Sequence, residues 1–165
     1  MIAILTGPIR TGKTTALAHT FAEGGRGILQ PVINGRRHVV DVAAGEARCL
    51  DATAETPQGQ LVRVGRFTFD GGAFEWSITR VHYALHAASA DEWVIIDEVG
   101  PLELAGHGLA SVVHQGVQYA RRGGRVLVVV RDGLVEAVCR AFAITAPRIV
   151  RLGEPLPDGR VVEGR

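Results

Sequence analysis

The chain has 165 residues, 47% of them hydrophobic, with 18 basic against 17 acidic side chains and a formal net charge of +1. That length suits one domain with a substantial core, and so even a charge balance supplies no global field for nucleic acid or an anionic membrane. Cys49 and Cys139 are isolated, without a C-x-x-C spacing, and there is no basic leader or spanning apolar run, so a reducing compartment, the cytoplasm, is the expected location.

The apolar run Met1 to Leu5 predicts a buried strand. It leads into Gly7-Pro8-Ile9-Arg10-Thr11-Gly12-Lys13-Thr14, a complete G-x-x-x-x-G-K-[ST] phosphate-loop pattern. The helix-compatible stretch Thr14 to Ala22 follows, so the pattern sits between a strand and a helix as it requires. Lys13 is the sole lysine of the chain; the other 17 basic residues are arginines. A compact ammonium on a flexible stem fits among phosphate oxygens inside a tight backbone loop, whereas a planar guanidinium suits open, bidentate contacts. Lys13 is therefore the candidate phosphate-gripping side chain. Gly7, Pro8, Ile9, Arg10, Thr11, Gly12, Lys13, Thr14 and Thr15 are the candidate nucleotide-binding residues.

Gly24 to Gly27 reads as a helix stop. Ile28 to Ile33 and Arg37 to Val42 flank Asn34-Gly35, a strong hairpin signal. Ala47 to Leu50 and Leu61 to Phe69 are further strands, separated by a polar loop. Ala73 to Ala90 reads as a helix with Phe74, Ile78, Val81 and Leu85 on one face, followed by a buried strand at Trp93 to Ile96. A helix at Leu109 to Arg122, a buried strand at Arg125 to Val130, a short helix at Leu134 to Phe142 and a last strand at Arg148 to Leu152 complete the series. From Gly153 the composition predicts a loose tail on a single domain spanning 1–165. Apolar strands separated by helices predict an α/β fold with a mostly parallel sheet buried on both faces. The hairpin interrupts that rhythm, at an edge or over the ligand mouth. With the phosphate loop, this is the expectation of a three-layer P-loop NTPase fold, RecA-like, with a β-hairpin insertion.

The second chemical signal is Val94-Ile95-Ile96-Asp97-Glu98. An apolar strand ending in a carboxylate puts that acid at the carboxyl edge of the sheet, where ligands of such folds bind. Asp97 and the Thr14 hydroxyl are the candidate magnesium ligands. Glu98, beside the metal acid, is the candidate that orients and polarises a water for in-line attack on a γ-phosphate. Arginines are candidates to stabilise the transition state: Arg131 at a strand end, Arg36 and Arg37 in the hairpin, and Arg10 in the loop.

The loop ending Gly12-Lys13-Thr14-Thr15, the segment with Gly35-Arg36-Arg37, the stretch Val64-Gly65-Arg66-Phe67, and the string Ile95 to Leu104 with Asp97-Glu98-Val99-Gly100-Pro101-Leu102-Glu103 together resemble the small thermophile-type nucleoside-triphosphatase family. The likeness reaches to about Leu152. It implies Mg²⁺-dependent cleavage of nucleoside triphosphates such as ATP and GTP to diphosphate and phosphate with broad base specificity, and it adds Arg66 to the catalytic candidates. The chain departs from the family at Gly27-Ile28, where a Gly-Phe pair is usual, and at Val129-Val130-Arg131-Asp132, where a Thr-x-His-Arg-like string is usual; Arg131 still stands where it can reach the γ-phosphate. A small-molecule or nucleotide kinase and a nucleotide-binding adapter in cofactor assembly are the alternative functions. The expected enzyme acts on nucleotide as a monomer, without nucleic acid or membrane. His82 and His86, four apart on a helix, lack the acidic partner of a zinc protease motif and read as surface residues. Trp76 and Trp93 read as packing residues, and Arg121-Arg122 as a helix C-terminus followed by its glycine cap.

Overall fold

Strands that are apolar on both faces need a layer of other elements on each side. The computed structural model of the protein, which describes residues 1–164, provides this arrangement. In chain order the first half comprises β1 (Ile2–Leu5), α1 (Lys13–Thr20), β2 (Gly25–Leu29), β3 (Val32–Ile33), β4 (Arg36–Asp41), β5 (Ala47–Cys49), β6 (Leu61–Val64), β7 (Phe67–Asp70) and α2 (Gly71–Ala87). The second half comprises β8 (Trp93–Val99), α3 (Pro101–Leu104), α4 (Ala110–Arg121), β9 (Arg125–Val130), α5 (Val135–Ala141) and β10 (Arg148–Val150).

The main sheet has the order β10-β1-β9-β8-β2-β4-β3, with β5 on the free flank of β4. The pairs from β10 to β2 are all parallel, and the β2–β4, β4–β3 and β4–β5 pairs are antiparallel. It is a three-layer α/β architecture, and side chains alternate between its two cores as period-2 strands demand. Ile4, Val94, Ile96, Val126 and Val128 face one cluster with Val81, Leu85, Val113, Val117 and Val138 of α2, α4 and α5. Ala3, Leu5, Ile95, Leu127 and Val129 face the other, with Leu17 and Phe21 from the α1 side. The turn at Asn34-Gly35 forms as expected, with φ of 51° and 77° at the two residues and Ile33 paired to Arg36 across it. The hairpin lies at the sheet edge. Among the described residues no helix is long and apolar enough to cross a membrane.

Four expectations need correction. Gly25 to Gly27 does not stop a helix; it lies inside β2, paired residue by residue with Trp93, Val94 and Ile95 of β8. Leu61 to Phe69 is not one strand but the β6–β7 hairpin, turning at Gly65-Arg66. Its Phe69, with Leu50, Ala73 and Phe74, forms a third small core. The helix expected at Ala73 to Ala90 begins earlier because the Asp70 carboxylate caps it, accepting from the N–H groups of Gly72 (2.8 Å) and Ala73 (3.3 Å).

The fourth correction concerns the segment after Gly153, which packs on the α1 face of the sheet. Leu156 and Val162 are buried in the same cluster as Leu5 and Trp93. The indole N–H of fully buried Trp93 donates to Asp158 (2.7 Å), and Arg160 also pairs with Asp158 (3.2 Å). Composition misled here because two apolar anchors suffice when a polar loop between them satisfies a buried donor. Asp158→Ala strands the Trp93 N–H and is expected to cost about 1–3 kcal/mol, measured as a lowered urea midpoint with an unchanged slope.

Candidate active site

The phosphate-loop segment leaves β1 at Thr6 and ends at Lys13, the first residue of α1. Lys13 is 8% exposed. Its Nζ donates to the carbonyl oxygens of Gly7 (2.8 Å) and Pro8 (2.7 Å), and Thr11 Oγ1 stands 3.5 Å away. The loop's own carbonyls thus hold the ammonium inside the turn, while Pro8, Ile9, Arg10, Thr11, Gly12 and Thr15 are exposed. A helix start leaves its first N–H groups without intrahelical partners, pointing outward as an anion cradle. Directly before the loop, the Thr6 hydroxyl is buried without a hydrogen-bond partner among the described residues.

β9 lies between β1 and β8, so the loop strand and the acid strand are separated by one strand. Even so, the Thr14 hydroxyl reaches across to donate to Asp97 Oδ2 (2.8 Å). The main-chain N–H of Gln30, just past β2, donates to the same oxygen (3.0 Å). Asp97 is 1% exposed. Burial pushes its carboxyl up to about 6; the bonds from Gln30 and Thr14 and the nearby Lys13 pull the other way, while Glu98 adds to the rise. This is a hard-oxygen pair, a hydroxyl and a buried carboxylate, with a charge that a divalent cation would stabilise. Gln30 was not legible as a site residue, because it contributes through its backbone.

Glu98 and Arg131 stand at the ends of neighbouring strands. Arg131 donates to Glu98 Oε1 from Nη2 (2.7 Å) and Nε (3.2 Å). Behind them the chain turns into α3, and Glu103 anchors the turn. Its carboxylate, 5% exposed, accepts from the N–H groups of Gly100 (2.9 Å) and Leu109 (3.2 Å). It is half of a capping box, since a glycine at the cap has no side chain to reciprocate. Burial holds the Glu103 carboxyl above the usual carboxylate range. This structural role was also missed: only the string around it, not its buried position, was visible in sequence.

Arg66 is exposed at the β6–β7 turn, with its guanidinium 5.0 Å from the Phe67 ring centroid. Arg37 lies over the same ring at 3.9 Å. No hydrogen bond or ion pair joins Arg66, Arg36 or Arg10 to Lys13, Asp97 or Glu98 among the described residues. His82 and His86 are in contact with ring centroids 4.6 Å apart and planes tilted by 51°, and no cluster of three or more metal-ligating side chains occurs among the described residues. The Arg48 and Arg80 guanidinium groups each lie 5.1 Å from the Trp76 ring centroid.

Two solved structures share this fold. The crystal structure of THEP1 from the hyperthermophile Aquifex aeolicus aligns with a TM-score of 0.68 at 18% identity, over 97% of this chain and 92% of that one. The solution structure of a human cancer-related nucleoside triphosphatase aligns with a TM-score of 0.62 at 22% identity, over 91% of this chain and 87% of that one. Among curated proteins no sequence matches. The model of the NTPase family matches residues 2–146, from β1 through the loop, the Asp97-Glu98 strand and α5, and the chain belongs to that family.

Proposed function

We propose that the protein hydrolyses nucleoside triphosphates, ATP and GTP among them, to diphosphate and phosphate with Mg²⁺ and broad base specificity. The observation that carries this reading is the hydrogen bond from Thr14 to Asp97, which joins the loop to the acid strand. A hydroxyl and a buried carboxylate meet there, and Glu98 is the next residue in β8. The family membership supports the same reaction class, as does the name of the human neighbour.

In this mechanism the loop N–H groups and Lys13 bind the β- and γ-phosphates. Thr14 and Asp97 would hold the magnesium, which supplies neutralisation of charge on the phosphate oxygens. Glu98 accepts a proton from water as the water oxygen bonds to Pγ and the bond from Pγ to the β,γ-bridging oxygen breaks, the electron pair leaving with the diphosphate. No specificity motif for a base is present in the sequence, which suits broad base tolerance. Arg66 is given no step in this mechanism; its guanidinium lies 5.0 Å from the Phe67 ring centroid. The chain is expected to act alone, in the cytoplasm.

Phosphate release from Mg-ATP and Mg-GTP without any acceptor tests the proposal. Glu98→Gln is expected to lower kcat about 10²-fold, within the usual range for a general base, with KM little changed; unchanged turnover in that variant would remove Glu98 from the mechanism. The same assay addresses a kinase reading. That reading gains one observation, the Arg37 and Arg66 guanidinium groups flanking Phe67 without carboxylate partners among the described residues. Hydrolysis that stays negligible until an acceptor is added would favour it.

A further inference from the structure

We propose that Arg131 is a positioning residue for Glu98, acting on the water-activating carboxylate and not on the transferred phosphate; this rests on the hydrolytic reading above. Two donors of the guanidinium, Nη2 at 2.7 Å and Nε at 3.2 Å, converge on a single carboxylate oxygen, Oε1. No protein donor reaches the other oxygen, Oε2, among the described residues. One oxygen is therefore held and the other is left to accept from a water.

The arginine is fixed at its root as well. Its main-chain N–H donates to the Val99 carbonyl (3.2 Å), and its own carbonyl accepts from the Leu134 N–H (3.1 Å). β8 and β9 run parallel with Val99 opposite Val130 after a register shift between Ile96 and Val99, so Glu98 stands one position before that pair and Arg131 one after it, and the two side chains meet across the strand ends. The guanidinium lies along Gly100, where an added Cβ would stand 3.8 Å from Cζ, Nε and Nη2. Gly100 lies beside the guanidinium and the Glu98 carboxylate meets its Nε and Nη2, while the side chain stays 44% exposed.

A general base must keep one oxygen within about 2.6–3.2 Å of the proton it removes. Glu98 has three side-chain torsions and a side chain 34% exposed, so packing alone does not select its orientation. A two-point clamp on Oε1 does, in the way a supporting shell holds a catalytic group. With Nε and one Nη2 hydrogen committed to Glu98, only the Nη1 side of the guanidinium is left over, so the contacts Arg131 makes serve to aim the carboxylate.

A double-mutant cycle separates the two roles. Phosphate release would be measured under single-turnover conditions with saturating Mg-ATP for the wild type, Arg131→Ala, Glu98→Gln and the double variant, with steady-state KM for each single variant. Arg131→Ala is expected to lower the rate about 10- to 100-fold with KM nearly unchanged, and Arg131→Lys to restore part of it, since an ammonium can still donate to Oε1. In the Glu98→Gln background Arg131→Ala should cost less than about twofold, because the carboxylate it aims is gone. Affinity for a non-hydrolysable triphosphate relative to the diphosphate should not change. The ion pair is solvent-exposed, so the melting temperature should hold within a few degrees; should Arg131→Ala unfold, Arg131→Gln takes its place in the cycle. A loss carried in full into the Glu98→Gln background, or a fall in triphosphate affinity, would show direct phosphate contact and overturn the positioning role. Wild-type rates in Arg131→Ala would overturn it too. Wild-type turnover in Glu98→Gln is a different result, since it defeats the hydrolytic reading itself.

Discussion

Lys13→Ala is expected to lower kcat/KM for Mg-ATP by roughly 10³–10⁴-fold. Lys13 is 8% exposed and its ammonium is held by the Gly7 and Pro8 carbonyls at 2.8 and 2.7 Å, so on nucleotide binding it exchanges neutral acceptors for charged phosphate oxygens. Each charge-assisted hydrogen bond is worth about 1.5–3 kcal/mol. Two or three of them amount to about 5 kcal/mol, which corresponds to the stated loss. No second lysine exists to take over, and the nearest cation in sequence, Arg10, is exposed. Lys13→Arg should recover little, because its planar fork is too wide for a loop that closes at 2.7–2.8 Å around a single nitrogen. Steady-state phosphate release together with calorimetric titration of ADP checks both variants. Activity within tenfold of wild type in Lys13→Ala would refute the assignment.

The elements legible in the sequence were those whose signal is local. β9 appears with the bounds its apolar run predicts, Arg125–Val130, because a strand buried on both faces must be apolar throughout. The Asn34-Gly35 turn was legible because a two-residue hairpin needs positive φ at both positions. What escaped depends on contacts between distant residues. The Gln30 N–H bonded to Asp97 carries no side-chain signature. The Glu98–Arg131 pair joins residues 33 positions apart and exists only through the register of β8 and β9. The tail looked loose by composition, yet Leu156 and Val162 are buried once Asp158 has met Trp93. The hairpin at Gly65-Arg66 resembles continuous strand in sequence because period-2 alternation looks the same on either side of a tight turn.

Gly25 to Gly27 shows the same limit most sharply, since a glycine run signals either a loop or a close approach of backbones, and here it is the second. Gly27→Ala is expected to destabilise the protein by about 4 kcal/mol or more, a large share of a typical total of about 5–15 kcal/mol. Gly27 is paired with Ile95 in β8, and a Cβ there would stand 2.1 Å from the Ile95 carbonyl oxygen and 2.8 Å from its nitrogen. Backbone cannot step aside as a side-chain tip can, so β2 and β8 must separate. The residue also has φ +99°, outside the regions an L side chain favours. The damage reaches the site, because β8 carries Asp97 two residues after Ile95, and β2 leads to the Gln30 N–H that holds it. Gly24→Ala is the matched control. It has φ +78° but open space around the added carbon, so it bears the conformational cost alone, about 1–2 kcal/mol. Thermal melts should show a shift of about 10 °C or more for Gly27→Ala against a few degrees for Gly24→Ala, with nucleotide binding lost only in the former. Equal shifts would mean that conformation, not the approach of β2 to β8, is what these positions require.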